Sequence, residues 1–283
     1  MATNFDAALV NTVLANRAIT KLNGRLAYLP AFAADFSDQV LGIRSRSINV
    51  PFVSGSSVAV VDTLDFEAGD TDVQNKQVNL VHVSKTASIT QYDLEQGRRL
   101  EWLADQSINA VANKIESMIF SLVTEAVFGP AVVTFPAGQM GLSAIQTMWG
   151  ALPGATKNFL AADSEYKNLL ASNLFSFQTP GDKSAYGFDY FDHAFNAFSY
   201  AGAGIKAFAA APQAFVLAAA IPEVSPQVGD LLDSTVVTVP ELGLSFQSNL
   251  WGSTKTRQTF HSFDLLFGAT PCDLTALKIG KAV

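Results

Sequence analysis

Three histidines and one cysteine are the side chains of this sequence best suited to metal binding or nucleophilic catalysis: His82, His193, His261 and Cys272. A metal site built locally needs ligands at helix or strand spacing, and no two of the histidines have it. Cys272 has no cysteine partner and follows Pro271, so a buried or idle thiol is expected there rather than a nucleophile. The stretch GAGIKA, Gly202 to Ala207, has the outline of a dinucleotide fingerprint, with Glu223 downstream as a candidate ribose ligand. That fingerprint requires glycines that open a helix after a strand. Here the chain stays apolar and β-like as far as Pro212, which predicts a turn before a buried strand. Four acids, Asp65, Glu67, Asp70 and Asp72, cluster without the spacing of a calcium loop and read as a solvated loop tip. There is no nucleophile elbow and no phosphate loop. The residues therefore assign no catalytic, cofactor-binding or metal-binding site.

With no chemistry to position, the elements themselves become the subject. The chain has 283 residues, enough for one large or two modest domains. Hydrophobic residues make up 49% and charged residues 15%, which implies either a large core or apolar surface that meets other chains. The formal net charge is −7 and no basic run occurs, which argues against sequence-specific nucleic-acid binding. Phenylalanine outnumbers tyrosine 21 to 6, favouring packed rings over exposed stacking platforms. A single cysteine excludes an intrachain disulfide. The first residues, MATNFDAALVNTVLANRAITKL, form an amphipathic pattern without a basic n-region, so they predict a helix rather than a secretion signal. The apolar stretch Ala201 to Ile221 is long enough for a bilayer, but Lys206 and Pro212 interrupt it. A buried strand followed by a buried helix is expected there, and no membrane partner.

From Asp93 to Gly129 the apolar residues recur at three and four, through Leu100, Leu103, Ile108, Val111, Ile115 and Leu122. Asp93 and Gln96 stand as a capping box, so one helix of about 50 Å is predicted. Before it, SRSINVPFV and KQVNLVHVSKTASIT alternate apolar and polar residues and predict a long two-stranded hairpin with an acidic, turn-rich tip. Two strands alone are marginal in water, so this hairpin is expected to need something to lie against. After Pro130 come short elements. NFLAADSEYKNLL predicts a strand and a short helix, and the closing residues predict strands with turns at Gly243, Gly252-Ser253 and Gly268. The class is mixed α+β.

This order of elements resembles the major capsid protein of tailed phages, the Johnson fold shared with encapsulins. INVPFV resembles the first strand of the family's extended E-loop. SITQYDLEQGRRLEWLADQSINAVANKIESMIF resembles the return strand running into its spine helix. NFLAADSEYKNLL and GIKAFAAAPQAFVLAAAIPE resemble elements of its axial A-domain. LGLSFQSNLWGSTKTRQTFHSFDLLFGATPCDLTALKIG resembles the strands that return to its peripheral P-domain. The resemblance covers nearly the whole chain and lies in the order of these stretches.

The resemblance implies an N-terminal arm (1–40), an E-loop hairpin (41–92), a P-domain spine helix (93–129), an A-domain (130–239) and C-terminal strands returning to the P-domain (240–283). It implies a structural protein without cofactors, assembling with itself into hexamers and pentamers of an icosahedral virion shell around double-stranded DNA. DNA contact would be non-specific, and assembly would take place in the host cytoplasm. No long charged leader is seen, so a separate scaffolding protein is implied, together with a portal. The alternative within the fold is an encapsulin-like cargo shell; the more distant one is a cofactor-binding α/β enzyme using GAGIKA. The E-loop is expected to be mobile in the free subunit. Contacts between subunits are expected from the tip acids Asp65, Glu67, Asp70 and Asp72 to Arg98 and Arg99 at the start of the spine helix.

Overall fold

The computed structural model describes residues 7–37, 46–55, 71–90, 97–153, 159–166, 188, 190–195, 197–222, 231–253 and 258–283. Two helices form a layer over one face of a six-stranded sheet. Helix α1 is Ala7–Leu26 and helix α2 is Gly97–Phe120. The sheet runs in the order β1 (Ala33–Asp35), β9 (Phe215–Ala220), β12 (Gln258–Pro271), β11 (Leu244–Ser253) and β10 (Leu231–Val239), with β4 (Val81–Ile89) added to β12. Leu266 pairs with both Ala220 and His82, so β9 and β4 hold opposite edges of β12.

The helical layer follows from spacing. Leu100, Ala104, Ile108, Val111, Ala112, Ile115 and Ile119 of α2 are buried, one face at 3.6-residue period. Leu103 is only half-buried, and Ala104 takes the position facing the sheet. Leu14, Ala15, Ala18 and Leu22 do the same for α1. Along the seam Arg17 Nε lies 2.9 Å from Asp105 and Arg25 Nη2 lies 2.9 Å from Glu116, so the helices run parallel. The hydrogen bond from Arg17 holds the Asp105 carboxyl below its usual range.

Helix α2 is shorter than its sequence pattern. It stops at Phe120, about 36 Å from its start at 1.5 Å per residue. The chain tightens there through Leu122 N–H to Ile119 O and Val123 N–H to Phe120 O, and the Val123 carbonyl accepts from Gly202 N–H instead of continuing the ladder. A separate short helix, α3 (Glu125–Phe128), follows. Phe120 itself is held by rings, with centroids 5.2 Å from Phe198 and 5.5 Å from Phe208.

A second sheet runs β5 (Val133–Phe135), β13 (Leu277–Ala282), β8 (Ile205–Ala210), β6 (Phe159–Asp163) and β7 (Tyr190–Phe195). Helix α4 (Leu142–Ala151) packs Ile145 and Met148 against one of its faces. On the other face Phe159 stacks on Phe32 at 4.9 Å and Phe208 meets it edge-on at 6.0 Å, while Phe32 also meets Phe215 of β9 at 5.5 Å. This aromatic hub joins the two sheets.

Three sequence expectations are corrected here. Phe215–Ala220 is a central strand, not a helix: β1 and β12 flank it, and tertiary pairing overrides the helix propensity of its alanines. The expected return strand of the hairpin is divided. β2 (Ser47–Gly55) pairs with β3 (Thr71–Asn79) as a separate two-stranded sheet, and after Leu80 the chain leaves it to become β4. The hairpin also finds apolar support within its own chain, because Ile48, Val50, Val78 and Leu80 are buried against Val216, Ala218 and Cys272. Val78 and Val83 are thus interior residues of the subunit.

Gly268 is not a turn either. It lies inside β12, where a Cβ would come within 2.6 Å of the Asn79 carbonyl oxygen, and the missing side chain lets the hairpin cross the sheet. Gly252 and Ser253 end β11, while Gly243 makes the expected left-handed turn at φ +65°. After β6 a short 3-10 turn, Ser164–Tyr166, replaces the start of the predicted helix; residues 167–187 lie outside those described.

Candidate assembly surface

The face of the six-stranded sheet away from the helices is polar. Registers Ser234↔Asn249 and Val236↔Gln247, continued by Asn249↔Ser262 and Gln247↔Asp264, bring its side chains into one field. Gln247 Nε2 donates to Ser234 Oγ (2.8 Å), and Ser234 Oγ donates to Asn249 Oδ1 (2.7 Å). Asn249 Nδ2 and Ser262 Oγ donate to Asp264 Oδ2 at 3.0 and 2.5 Å. His82 Nε2 lies 3.2 Å from Asp264 Oδ1. The one carboxylate of this field is therefore occupied on both oxygens, while Gln247 Oε1 is buried with no hydrogen-bond partner among the described residues. Such a face can exchange hydrogen bonds with a further chain.

The opposite face buries a second polar group. Ser248 Oγ donates to Asn11 Oδ1 (2.6 Å), which leaves it to accept from His261 Nε2–H at 2.8 Å. Asn11 Nδ2 donates to the Ser248 carbonyl (3.1 Å) and to Asp233 Oδ2 (2.6 Å), anchoring α1 on the sheet. Burial lowers the His261 pKa to about 4. A pKa below the unfolded value means that the unfolded chain binds the extra proton first. Stability is then complete above about pH 6.5 and is lost as pH falls toward 4. The expected loss between pH 7 and pH 5 is about 2 kcal/mol. Urea midpoints measured across that range should show it, and His261→Gln should flatten the slope; an equal slope in the variant would remove His261 as its source.

The residues singled out for chemistry are not brought together. His82 and His261 point to opposite faces of one sheet, and Cys272 lies under the hairpin, where burial raises its thiol pKa. His193 is in β7, with its side chain outside the described set. GAGIKA makes the predicted turn: Gly204 has φ +76° and Ile205 opens the buried strand β8. Lys206 is held by Asp163 at 2.8 Å and Glu165 at 3.0 Å. No group of three or more His, Cys, Asp or Glu residues able to hold a metal occurs among the described residues. No helix among them is long and apolar enough to cross a membrane. Asp65, Glu67 and Asp70 lie outside the described residues. Asp72 is in β3 and Arg98 and Arg99 are in the first turn of α2, with side chains that are likewise not described.

No protein-family model and no curated protein matches the sequence. Solved structures do match. A Gordonia phage Cozz structure is similar over 91% of this chain and 86% of its own, at TM-score 0.57 and 12% identity. The virus-like particle from Pyrococcus furiosus matches over 95% and 98%, at TM-score 0.54 and 12% identity. The capsid of the native gene transfer agent (GTA) particle matches over 91% and 90%, at TM-score 0.50 and 12% identity. This is the Johnson fold. The Johnson-fold structures it resembles are capsid structures, not enzymes. Within that fold the polar sheet face and the Asn11–Ser248–His261 group are features of this chain that sequence reading had passed over. One signal was present: Asn11 falls on the same helical face as Ala15, Ala18 and Leu22, a polar residue in an apolar stripe.

Proposed function

We propose that the chain is the major subunit of an icosahedral virion shell, built from hexamers and pentamers and enclosing double-stranded DNA. The observation that carries this reading is the extent of the fold match. Nearly all of this chain and nearly all of the matched chains superpose as one architecture. The β2–β3 hairpin, with the residues that link its strands, then serves as the E-loop reaching a neighbour. Helix α2 is the spine, the sheet around β8 belongs to the axial A-domain, and β11 and β12 return to the P-domain; β13, expected to return with them, pairs instead with β8. A scaffolding protein and a portal would complete assembly, and contact with packaged DNA would be non-specific.

Negative-stain microscopy of the purified protein tests the reading, with closed shells expected and small monodisperse particles overturning it. A cargo shell of the encapsulin type is the second reading, favoured by the match to 98% of the virus-like particle's chain. Nuclease-protected DNA inside the shells supports the first, and an enclosed protein supports the second.

Under this reading the tip acids Asp65, Glu67, Asp70 and Asp72 are proposed to meet Arg98 and Arg99 of a neighbouring subunit. Arg98→Glu with Arg99→Glu is then expected to fold but assemble poorly. Changing the tip acids to lysine in the same chain should restore part of the assembly, because the pairs re-form with opposite sign. Shell yield by sedimentation reads both effects. Unimpaired assembly of the double variant would leave the arginines as ordinary surface residues.

A further inference from the structure

Helix α1 is tied to the sheet by a polar group near its start. Its buried side runs through Asn11, Leu14, Ala15, Ala18, Leu22 and Leu26, and Asn11 is the one polar member. Asn11 Nδ2 donates to Asp233 Oδ2 and to the Ser248 carbonyl, and its Oδ1 accepts from Ser248 Oγ. Ser248 Oγ in turn accepts from His261, which is 2% exposed and meets the Phe263 ring edge-on at 4.4 Å. The two halves of the helix are held differently. From Arg17 onward ion pairs join it to α2, Arg17 and Lys21 with Asp105 and Arg25 with Glu116. Residues 7–16 contain no charged side chain, so that half depends on Leu14, Ala15 and the Asn11 group.

A proton on His261 meets no counter-charge among the described residues. Asp233 of β10 is bonded by Asn11 and Thr235. Asp105 and Glu101 of α2 face Arg17. Lys85 of β4, on the side of Val83 and Ile89, is itself positive. β11 carries no charged residue, and Asp264 of β12 lies on the other face with His82. The charge must therefore be hydrated. His261 is held in β12 between β11 and β4, so parting the sheet would break both ladders. Lifting the uncharged start of α1 breaks one helix end, and terminal segments open at lower free energy than sheet interiors.

We propose that the first half of α1 is an acid-operated latch: a proton taken up by His261 releases residues 7–15 from the sheet, while the helix from Arg17 onward stays docked. The proton adds at Nδ1, because Nε2 already carries the hydrogen donated to Ser248 Oγ. Asp105, held below the usual carboxyl range by its hydrogen bond from Arg17, keeps the second half in place at the same pH. The buried ring titrates at about 4 and a hydrated one at 6.5, so opening becomes easier as pH falls from 6.5 towards 4. Between pH 7 and pH 5 the opening constant rises about twentyfold. Acid thus acts first at one helix end of the subunit, whatever the subunit assembles into.

Amide hydrogen exchange on the full chain at pH 7 and pH 5, with each rate divided by the intrinsic rate at that pH, tests the latch. Protection of residues 11–15 is expected to fall about twentyfold. At pH 5 it should lie at least about tenfold below that of residues 22–26 and of β12. His261→Gln keeps a donor for Ser248 Oγ and cannot take up the proton, so the fall should vanish in that variant. Asp233→Asn, which removes the nearby carboxylate charge, should retain it. Equal protection along α1 and β12 at pH 5 would mean that the chain opens only as a whole, and overturns the proposal. A fall that survives in His261→Gln, or one abolished only by Asp233→Asn, overturns it too. Should His261→Gln fail to fold, the pH profile of the parent decides. One proton taken up on opening between pH 6.5 and pH 4 is expected, and a flat profile or a two-proton slope removes the latch.

Discussion

Val111→Asp is expected to cost about 4–5 kcal/mol and to leave little folded protein at room temperature. Val111 is 3% exposed and lines an apolar void of about 10 Å³ between the helices and the sheet, with Leu22, Ile115, Phe246 and Phe263. That space holds at most about one water. None of its lining residues can donate to a carboxylate, so the charge would be neither solvated nor paired. Urea denaturation against Val111→Ile as a size control measures the effect, with the control expected to stay within about 1 kcal/mol of the parent. Soluble Val111→Asp protein with an unchanged midpoint would falsify the assignment of this face to the interior.

Gly268→Val carries the second large effect, about 3 kcal/mol or more. The obstacle is backbone: the Asn79 carbonyl oxygen and Val78 Cγ1 would lie 2.6 and 2.8 Å from the new Cβ. β12 cannot retreat, because β11, β9 and β4 are all bonded to it. The hairpin must lift instead, exposing Ile48, Val50, Val78 and Leu80. Two readouts follow, a lowered urea midpoint and faster amide exchange of Val78 and Leu80. Unaltered exchange there would mean that the crossing tolerates a side chain.

These two positions also show where sequence is legible. Helix α2 could be read because its apolar face repeats over many turns, and a long period survives local exceptions. Its end could not, since the periodicity passes through Leu122 while the cause of termination, the Phe120–Phe198–Phe208 cluster and the bond to Gly202, comes from residues far along the chain. The strand β9 is illegible in the sequence for a different reason. A six-residue apolar run buried on both faces has no period to detect, so its alanines decided the reading. The division of the hairpin did leave a mark. Buried residues fall on even numbers at Val78 and Leu80 and on odd numbers at Val83 and Ile89, so the inward face switches where β3 becomes β4. In sequence Gly268 reads as punctuation, although a glycine inside an alternating strand equally marks a close crossing. The buried Asn11–Ser248–His261 group joins residues more than two hundred positions apart, and no local pattern contains it.

The placement of β13 bears on how the chain is made. β13 sits between β5 and β8, and Ala211 N–H donates to the Ala276 carbonyl just before it. β12 plays the same part in the other sheet, bonding β4, β9 and β11. In both sheets, therefore, an interior strand is translated after the strands it joins. A ribosome that has reached Pro222 has translated β4, β5, β8 and β9, but the six-stranded sheet cannot close until Pro271 has left the exit tunnel, nor the second sheet until Ala282 has. Long-range pairing of this kind makes folding slow to commit. Neighbouring nascent chains on one message would then be unable to interlock through either sheet before its late interior strand has emerged.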